Sequence, residues 1–343
     1  MSRRVRTLIV SGALFVALFV IALVVHVPYV ILSPGPTYNT LATDDSGNTI
    51  IVIHGTTARQ TTGHLNMTTV NVSTQTITVF DALRGWLRGD EVVVPRSSVF
   101  TPGKSEQQVD SENAADFAQS QDNAIAAASC ELGYPAKFGV ITVQANSPSL
   151  NKLKPSDVIV SLDGKAVATA DQLTAVLATR QPGESAKVDV IRGGTAMTET
   201  VTLGTPLAGR KGARLGIEVG SVCATPFTVD LGLGNQIGGP SAGLMFALGI
   251  IDKVGNVDLT NGAFIAGTGT IDSAGTVGAI GGIQLKMIAA RRAHASIFLA
   301  PAGNCSDVRG AIPKGLQVVK VSTLHDAVQD LLAIEHGQSV PGC

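Results

Sequence analysis

The most restrictive feature of this sequence is an uncharged apolar run near its N-terminus, from Leu8 to Val25. A helix over this run, at about 1.5 Å per residue, is about 27 Å long, close to the thickness of the hydrocarbon core of a bilayer. Arg3, Arg4 and Arg6 precede the run, and the first acidic residue is Asp44. Because cytoplasmic flanks are enriched in Lys and Arg, we expect a single-pass anchor with a cytoplasmic N-terminus and the rest of the chain outside the cytoplasm.

A cleaved signal peptide is the alternative interpretation of the same run. The apolar region of a signal peptide is about 7–15 residues long and ends in small residues spaced like A-x-A. The exit here reads VVHVPYVILSPGP, which contains no such site. The sequence therefore favours an uncleaved anchor that contacts membrane lipid.

The charge balance limits the classes of partner. The chain has 25 Lys and Arg against 26 Asp and Glu, a formal net charge of −1. Nucleic-acid binding depends on a basic excess, so we expect no nucleic-acid partner. With 45% hydrophobic residues, the chain is also too apolar to be disordered as a whole.

Between the anchor and residue 135 the pattern alternates between strand and helix. Residues 33–37, SPGPT, are predicted to form a stiff linker, because each proline fixes its backbone away from a helix. Residues 48–79 read mostly as strand, with β-branched residues alternating with polar ones. A short helix is predicted over 80–87, and a longer helix rich in Ala and Gln over 114–132.

Residues 137–203 form a compact unit in the order strand, loop, strand, Asp-Gly turn, helix and hairpin. Its most specific part is N-S-P-S-L-x-x-L-K-P-S-D-V-I-V-S-L-D-G, from Asn146 to Gly164. This unit resembles a bacterial PDZ domain, although Pro155-Ser156 stands where that pattern has a glycine before the aspartate. The resemblance implies a peptide added as a strand to an exposed edge, with backbone amides holding a terminal carboxylate. The residues predicted to bind that peptide are Phe138, Gly139, Val140 and Leu173, and the helix Asp171 to Thr179 is predicted to form the opposite wall of the groove. Alternatively, the unit only separates the next domain from the membrane.

The strongest candidate for a catalytic segment is G-N-Q-I-G-G-P-S-A-G-L-M-F-A-L-G-I-I-D, from Gly234 to Asp252. An apolar helix is predicted to start at Ser241, and a serine at a helix start is commonly only a cap. Gly238, Gly239 and Pro240 instead favour a tight turn whose N–H groups approach a ligand, beside a helix N-terminus that stabilises an oxyanion.

A nucleophilic serine needs a base, and the six histidines lie in no paired acidic motif. A second glycine-rich segment, Ala266 to Ala293, offers an alternative. Lys286 follows Gly281-Gly282 on a helix and is flanked by apolar residues. Burial lowers the pKa of a lysine, so that its amine can accept a proton, although an ordinary surface lysine would fit the same local pattern.

The two segments together resemble the proteolytic domain of Lon-type serine proteases. The resemblance covers about residues 206–335 and rests on P-S-A-G with Ser241, T-G-T-I at Thr268, and G-x-V-G-x-I-G-G-I followed by Lys286. It implies that Ser241 is the nucleophile, Lys286 the general base and Thr268 the group that orients the lysine, with Gly238, Gly239 and Pro240 in support. Gly239 departs from the ATP-dependent branch, which often has Asp there.

The whole layout resembles the membrane-anchored PDZ–Lon-like proteases of bacteria. The fold class predicted is α+β multidomain: a stub and transmembrane helix (1–32), a β-rich extracytoplasmic segment with a helix (33–135), a PDZ domain (136–205), a Lon-type proteolytic α+β domain (206–336) and a tail (337–343). No P-loop of the form G-x-x-x-x-G-K-[ST] occurs, so we expect no ATP, and the sequence indicates no cofactor and no metal site. Lon-type domains usually form rings, which suggests a homo-oligomer by analogy.

Two further interpretations and one covalent question stay open. The Lon-like domain could be a catalytically silent scaffold beside a peptide-binding PDZ unit, or the chain could bind nucleotides, although the phosphate loops for that are missing. The four cysteines, Cys130, Cys223, Cys305 and Cys343, allow three pairings in an oxidising compartment. Cys223 and Cys305 share a predicted domain and could pair, or all four could be isolated thiols.

Overall fold

A computed structural model describes residues 3–43, 47–100, 103–232 and 237–343. The α-helices are α1 (Arg3–Val24), α2 (Val79–Leu87), α3 (Glu106–Glu131), α4 (Ala170–Leu177), α5 (Gly243–Val254), α6 (Ile283–Arg292), α7 (Cys305–Val308) and α8 (Leu324–Glu335). The strands are β1 (His26–Val27), β2 (Tyr29–Asn39), β3 (Ile51–His54), β4 (His64–Val72), β5 (Ile77–Thr78), β6 (Val92–Pro95), β7 (Ala136–Val143), β8 (Val158–Leu162), β9 (Lys165–Ala166), β10 (Ser185–Arg192), β11 (Thr195–Thr202), β12 (Ile217–Cys223), β13 (Thr228–Leu231), β14 (Phe264–Gly267), β15 (Thr270–Ile271), β16 (Val277–Gly278), β17 (Ile297–Pro301) and β18 (Gln317–Val321).

Helix α1 contains the predicted anchor and has no buried residue. It is the single helix in the described ranges that is long and apolar enough to cross a bilayer, with a mean hydropathy of 2.8 over its most apolar window. The predicted helix thus exists and ends at Val24, one residue before the end of the apolar run.

One six-stranded sheet forms the centre of the molecule, in the order β18-β17-β14-β4-β2-β6. Strands β4, β14, β17 and β18 are parallel neighbours, and β2 runs antiparallel between β4 and β6. Strands β2, β4 and β6 come from residues 29–95, and β14, β17 and β18 from residues 264–321. Residues 33–37 are part of β2 and pair with β4, so the predicted linker there is wrong. The segments 33–135 and 206–336, predicted to be separate domains, therefore share one sheet and one core. This shared sheet could not be predicted from local sequence patterns, because its pairing joins residues about 200 positions apart.

Helix α5 fills the core against this sheet. Every residue from Gly243 to Lys253 is buried, and α5 packs on α3, β4 and α8. Phe246 and Phe117 of α3 meet edge to face, with ring centroids 5.7 Å apart. Helix α3 starts at residue 106 rather than 114, because Ser105 and Gln108 form a capping box ahead of the predicted start.

The PDZ unit is a separate antiparallel sheet in the order β11-β10-β8-β7-β12, with β9 on β8 and helix α4 beside it. Its predicted elements all occur: Thr169 caps α4, and β10 and β11 form the hairpin across Gly193-Gly194. Buried Asp157 accepts two hydrogen bonds of 2.7 Å from the guanidinium of Arg192, which compensates the burial of its charge.

Two disulfides connect all four cysteines, Cys130–Cys223 and Cys305–Cys343. The suggested Cys223–Cys305 pair is therefore wrong, and so are the isolated thiols. Cys223 ends β12, which packs against α3 near Cys130, whereas Cys305 starts α7 beside the C-terminal tail. The first disulfide links the last turn of α3 to the end of β12, the edge strand of the PDZ sheet.

Candidate active site

Ser241 lies in the turn that leads into α5, and α3 holds this turn from outside. The N–H of Gly239 donates to the carbonyl of Asn113 at 2.9 Å, and the hydroxyl of Ser120 donates to the carbonyl of Pro240 at 2.8 Å. Gly239 has φ +85°, a left-handed conformation that favours glycine. The sequence did not single out Asn113 or Ser120, because a polar residue on an Ala- and Gln-rich helix carries no local sign of a contact 120 residues away. Residues 234–236 of the same segment lie outside the described residues.

The position of Ser241 excludes a simple capping role. Helix α5 begins at Gly243 with Ala242 as its N-cap, so Ser241 precedes the cap by one residue. Its carbonyl accepts hydrogen bonds from the N–H of Gly269 at 2.9 Å and from the hydroxyl of Thr268 at 3.0 Å. The backbone of Ser241 is thus held by the T-G-T-I segment, and its side chain points to a different partner.

That partner is Lys286, in the first turn of α6. Gly282 provides the N-cap of α6 with φ +70°, and the helix packs on β2 and β4. The Nζ atom of Lys286 lies 2.7 Å from the Oγ atom of Ser241. Only 3% of Lys286 is exposed, and this burial lowers its pKa from 10.5 to about 8.

Thr268 completes a three-residue network. Its hydroxyl oxygen accepts a hydrogen bond from Nζ of Lys286 at 2.9 Å while its own proton goes to the carbonyl of Ser241. Thr268 is fully buried. The hydroxyl of Thr268 therefore orients the amine of Lys286, so that Nζ also faces Oγ of Ser241.

The amide of Gly239, which was predicted to bind an anion, is not available in the structure. The N–H of Gly239 is already bonded to Asn113, and Pro240 has no N–H. No described residue accepts a hydrogen bond from the N–H of Ser241 or of Ala242. These two amides, unlike that of Gly239, are therefore free to donate to a ligand beside Ser241.

A pocket of about 360 Å³ opens onto Ser241 and Lys286. Strand β2 contributes Pro36 and Tyr38, β4 contributes residues 67–71, and Ile237 to Gly239 form the rim on the side of the turn. The wall is thus formed largely by strands of the N-terminal segment. In the described parts of the chain, no group of three or more His, Cys, Asp or Glu is placed to hold a metal ion.

The predicted peptide edge of the PDZ unit is occupied by the chain itself. Strand β12 pairs antiparallel with β7 from Ala136 to Val143, which places Phe138 opposite Ser221 and Gly139 opposite Gly220. The N–H of Val140 donates to the carbonyl of Asp157 at 2.9 Å. The prediction of a free edge at Phe138, Gly139 and Val140 is therefore wrong for this structure.

Other features of the PDZ unit agree with that pairing. A side chain at Gly139 would collide with the carbonyl of Asp157 and the side chain of Val222, so that close strand packing explains this glycine. Leu173 of α4 is buried in the PDZ core, and Ile217 and Val219 of β12 pack against the same cluster. Strand β12 thus occupies the edge of β7 at which a peptide was predicted to bind.

Two family models match this chain, over ranges that overlap. Residues 109–203 match the family model of the PDZ domain, and residues 171–334 match that of the Lon protease (S16) C-terminal proteolytic domain. A Lon protease from Xanthomonas oryzae pv. oryzae is 29% identical over 164 residues, which is 47% of this chain and 19% of the relative. The chain thus spans about a fifth of that relative's length.

Solved structures of PDZ domains are also similar to part of the chain. The PDZ domain of an SdrC-like protein from Listeria monocytogenes is 18% identical and covers 24% of this chain and 86% of its own, with a TM-score of 0.23. The corresponding domain from Listeria innocua has the same identity and TM-score and covers 24% of this chain and 92% of its own.

Proposed function

Because this chain combines a PDZ domain with a Lon-type proteolytic domain, we propose that it is a serine endopeptidase in which Ser241 is the nucleophile and Lys286 the general base. The observation that carries the proposal is the 2.7 Å contact between Nζ of a buried lysine and Oγ of Ser241 at the floor of an open pocket. A hydroxyl is a weak nucleophile until a base within hydrogen-bond distance takes its proton.

The reaction begins with the neutral amine of Lys286, which accepts the hydroxyl proton of Ser241 as Oγ attacks the substrate carbonyl. The amides of Ser241 and Ala242 donate to the oxyanion that forms. The ammonium of Lys286 then protonates the departing amine, and an ester with Ser241 is left. Lys286 next deprotonates a water molecule that hydrolyses this ester, and returns the proton to Oγ of Ser241.

ATP independence is part of the proposal. The sequence contains no G-x-x-x-x-G-K-[ST] string. Without an unfolding motor, the substrates are flexible or already unfolded polypeptide segments. The pocket beside Ser241, which residues of β2 and β4 line, is where such a segment would bind in an extended conformation.

The proposed location is the membrane, with the N-terminus in the cytoplasm and the catalytic site outside. Helix α1 is apolar and unburied, and Arg3, Arg4 and Arg6 lie at its start. The pairing of all four cysteines supports an oxidising compartment. A homo-oligomeric ring stays a prediction by analogy.

We propose substrate capture by the PDZ unit in a modified form. A polypeptide added to β7 has to replace β12, which pairs with that strand along its length. The PDZ groove then binds substrate only in the fraction of molecules in which β12 has been released, and this lowers the apparent affinity by that fraction.

The test of the proposed activity is covalent labelling of the full chain in detergent with a fluorophosphonate probe, followed by peptide mapping. We expect the adduct on Ser241, with loss of labelling in Ser241→Ala and strongly slowed labelling in Lys286→Met. Folded protein that hydrolyses no unfolded polypeptide and carries no adduct at Ser241 would instead indicate a silent scaffold.

A further inference from the structure

The short helix α2 presents its apolar residues to the outside. Phe80, Leu83 and Leu87 follow the i, i+3, i+7 spacing of one helix face, and Trp86 lies beside them. Leu83 is 52% exposed, Trp86 80% and Leu87 89%. The face that α2 turns to the protein contains Gly85, which is buried near Val93 of β6 and Ile31 of β2.

This face lies next to the end of the membrane anchor. The N–H of Val79 donates to the carbonyl of Val25 at 3.0 Å, and β1 pairs with β5 immediately before α2. The rings of Phe19 and Phe80 meet edge to face with centroids 5.9 Å apart. Phe19 lies five residues before the C-terminal end of α1. Phe80 is therefore level with a point about 7 Å before that end along the axis of α1.

An adjoining groove extends the apolar surface. It has a volume of about 280 Å³, and its walls include Tyr29, Leu83 and Trp86. Tryptophan and tyrosine are enriched where a membrane protein crosses the interface between hydrocarbon and water. A contiguous apolar surface of this kind is unusual on a face that meets only solvent.

From these observations we infer that the exposed face of α2 inserts into the headgroup region of the bilayer on the extracytoplasmic side, beside α1. The occupant of this face is lipid, because the face continues the surface of the anchor and begins below the anchor's end. The inference rests on the membrane anchoring in the proposed function.

The docked helix also sets the height of the catalytic site. Strand β2 starts at Tyr29, in the groove beside α2, and reaches the catalytic pocket at Pro36. Seven residues of strand extend at most about 23 Å. Ser241 is thus held within a short distance of the lipid surface, which suits polypeptide segments that lie close to the membrane.

The experiment uses the single tryptophan of the chain, Trp86, as the probe. The full chain is reconstituted into phosphatidylcholine–phosphatidylglycerol vesicles whose acyl chains carry bromine either near the headgroup or near the chain end. We expect shallow bromine to remove most of the Trp86 emission, deep bromine to remove less, and aqueous iodide to quench little. Leu87→Glu is expected to reduce quenching by bromine and increase quenching by iodide.

A matched control places the probe on the PDZ unit. In a Trp86→Phe background, Lys165→Trp at an exposed position of β9 is expected to be quenched by iodide and not by bromine. Emission of Trp86 that iodide quenches and bromine does not would overturn the inference. Blue-shifted emission that neither agent quenches would also overturn it, since a second copy of the chain would then cover the face.

Flotation of the same vesicles through a density gradient at alkaline pH separates this inference from the anchoring on which it rests. Protein that does not float contradicts the anchor itself. If the protein floats but iodide quenches Trp86, the membrane anchor is supported and the insertion of α2 is contradicted.

Discussion

The amine of Lys286 and the hydroxyl of Ser241 lie 2.7 Å apart, although 45 residues separate them in the sequence. The turn before α5 presents the hydroxyl, and the first turn of α6 presents the amine. Burial is the only cause that lowers the pKa of this lysine, to about 8. The desolvation that disfavours the ammonium is what makes the amine available as a base near neutral pH.

The first prediction concerns the dependence of hydrolysis on pH. Lys286 acts as a base only when neutral, so kcat/KM for fluorescein-labelled casein should rise as pH increases through about 8 and then level off. Steady-state rates between about pH 6 and pH 10 measure this profile. A rate that falls steadily above neutral pH would identify a different base.

Thr268 should act by orienting the lysine. Thr268→Val removes the hydroxyl that accepts from Nζ and donates to the carbonyl of Ser241, so we expect kcat to fall by roughly tenfold or more, with a smaller change in KM. Thr268→Ser, which keeps the hydroxyl, should restore most of the rate. Equal losses in both variants would assign Thr268 a packing role only.

The resemblance to Lon-type domains predicted the three residues of this network, but the sequence did not predict their surroundings. Taken alone, Ser241 also fitted a helix cap and Lys286 a surface lysine, and only the two glycine-rich segments together pointed to Ser241, Thr268 and Lys286. The strands that wall the pocket, β2 and β4, come from a segment that looked separate, because the pairing of β4 with β14 leaves no local trace.

The contacts missed from the sequence are also long-range ones. Asn113 bonds Gly239 across more than 120 residues, and so removes an amide that the local pattern had assigned to the oxyanion. The pairing of β12 with β7 and the two disulfides likewise depend on the assembled fold. Strand and cysteine patterns indicate that partners exist but not which partners are chosen.

The Cys130–Cys223 disulfide should influence both stability and rate. It closes a separation of 93 residues, and its removal in Cys130→Ser/Cys223→Ser should lower the free energy of unfolding by about 2–4 kcal/mol. Because α3 also bonds the turn of Ser241 through Asn113 and Ser120, we expect kcat to fall as well. Denaturant unfolding in detergent and casein hydrolysis measure the two effects.

The second disulfide is the control for that prediction. Cys305→Ser/Cys343→Ser should destabilise the fold with little change in kcat, since this pair ties the C-terminal tail to α7. If both double variants leave kcat unchanged, the Cys130–Cys223 disulfide is not needed for α3 to hold the turn of Ser241.

Release of β12 should expose the PDZ edge. Ile217→Ser/Val219→Ser removes two side chains that pack on the PDZ core, so a fluorescent peptide with an apolar C-terminal residue should bind about tenfold more tightly. Glu218→Gln, on the exposed face of the same strand, should bind like the parent chain. Identical affinities for all three proteins, measured by fluorescence anisotropy, would show that β12 does not compete for the groove.

The central claim is tested most directly by the casein hydrolysis rates of the parent chain, Ser241→Ala, Lys286→Met and the double variant. We expect loss of Lys286 to cost roughly 10²–10⁴-fold, and the double variant to be no slower than the slower single one, because the two residues act as a unit. Lys253→Met, at a second buried lysine outside the pocket, should keep the parent rate. Near-normal turnover by Lys286→Met, or losses that multiply in the double variant, would contradict a Ser241–Lys286 dyad.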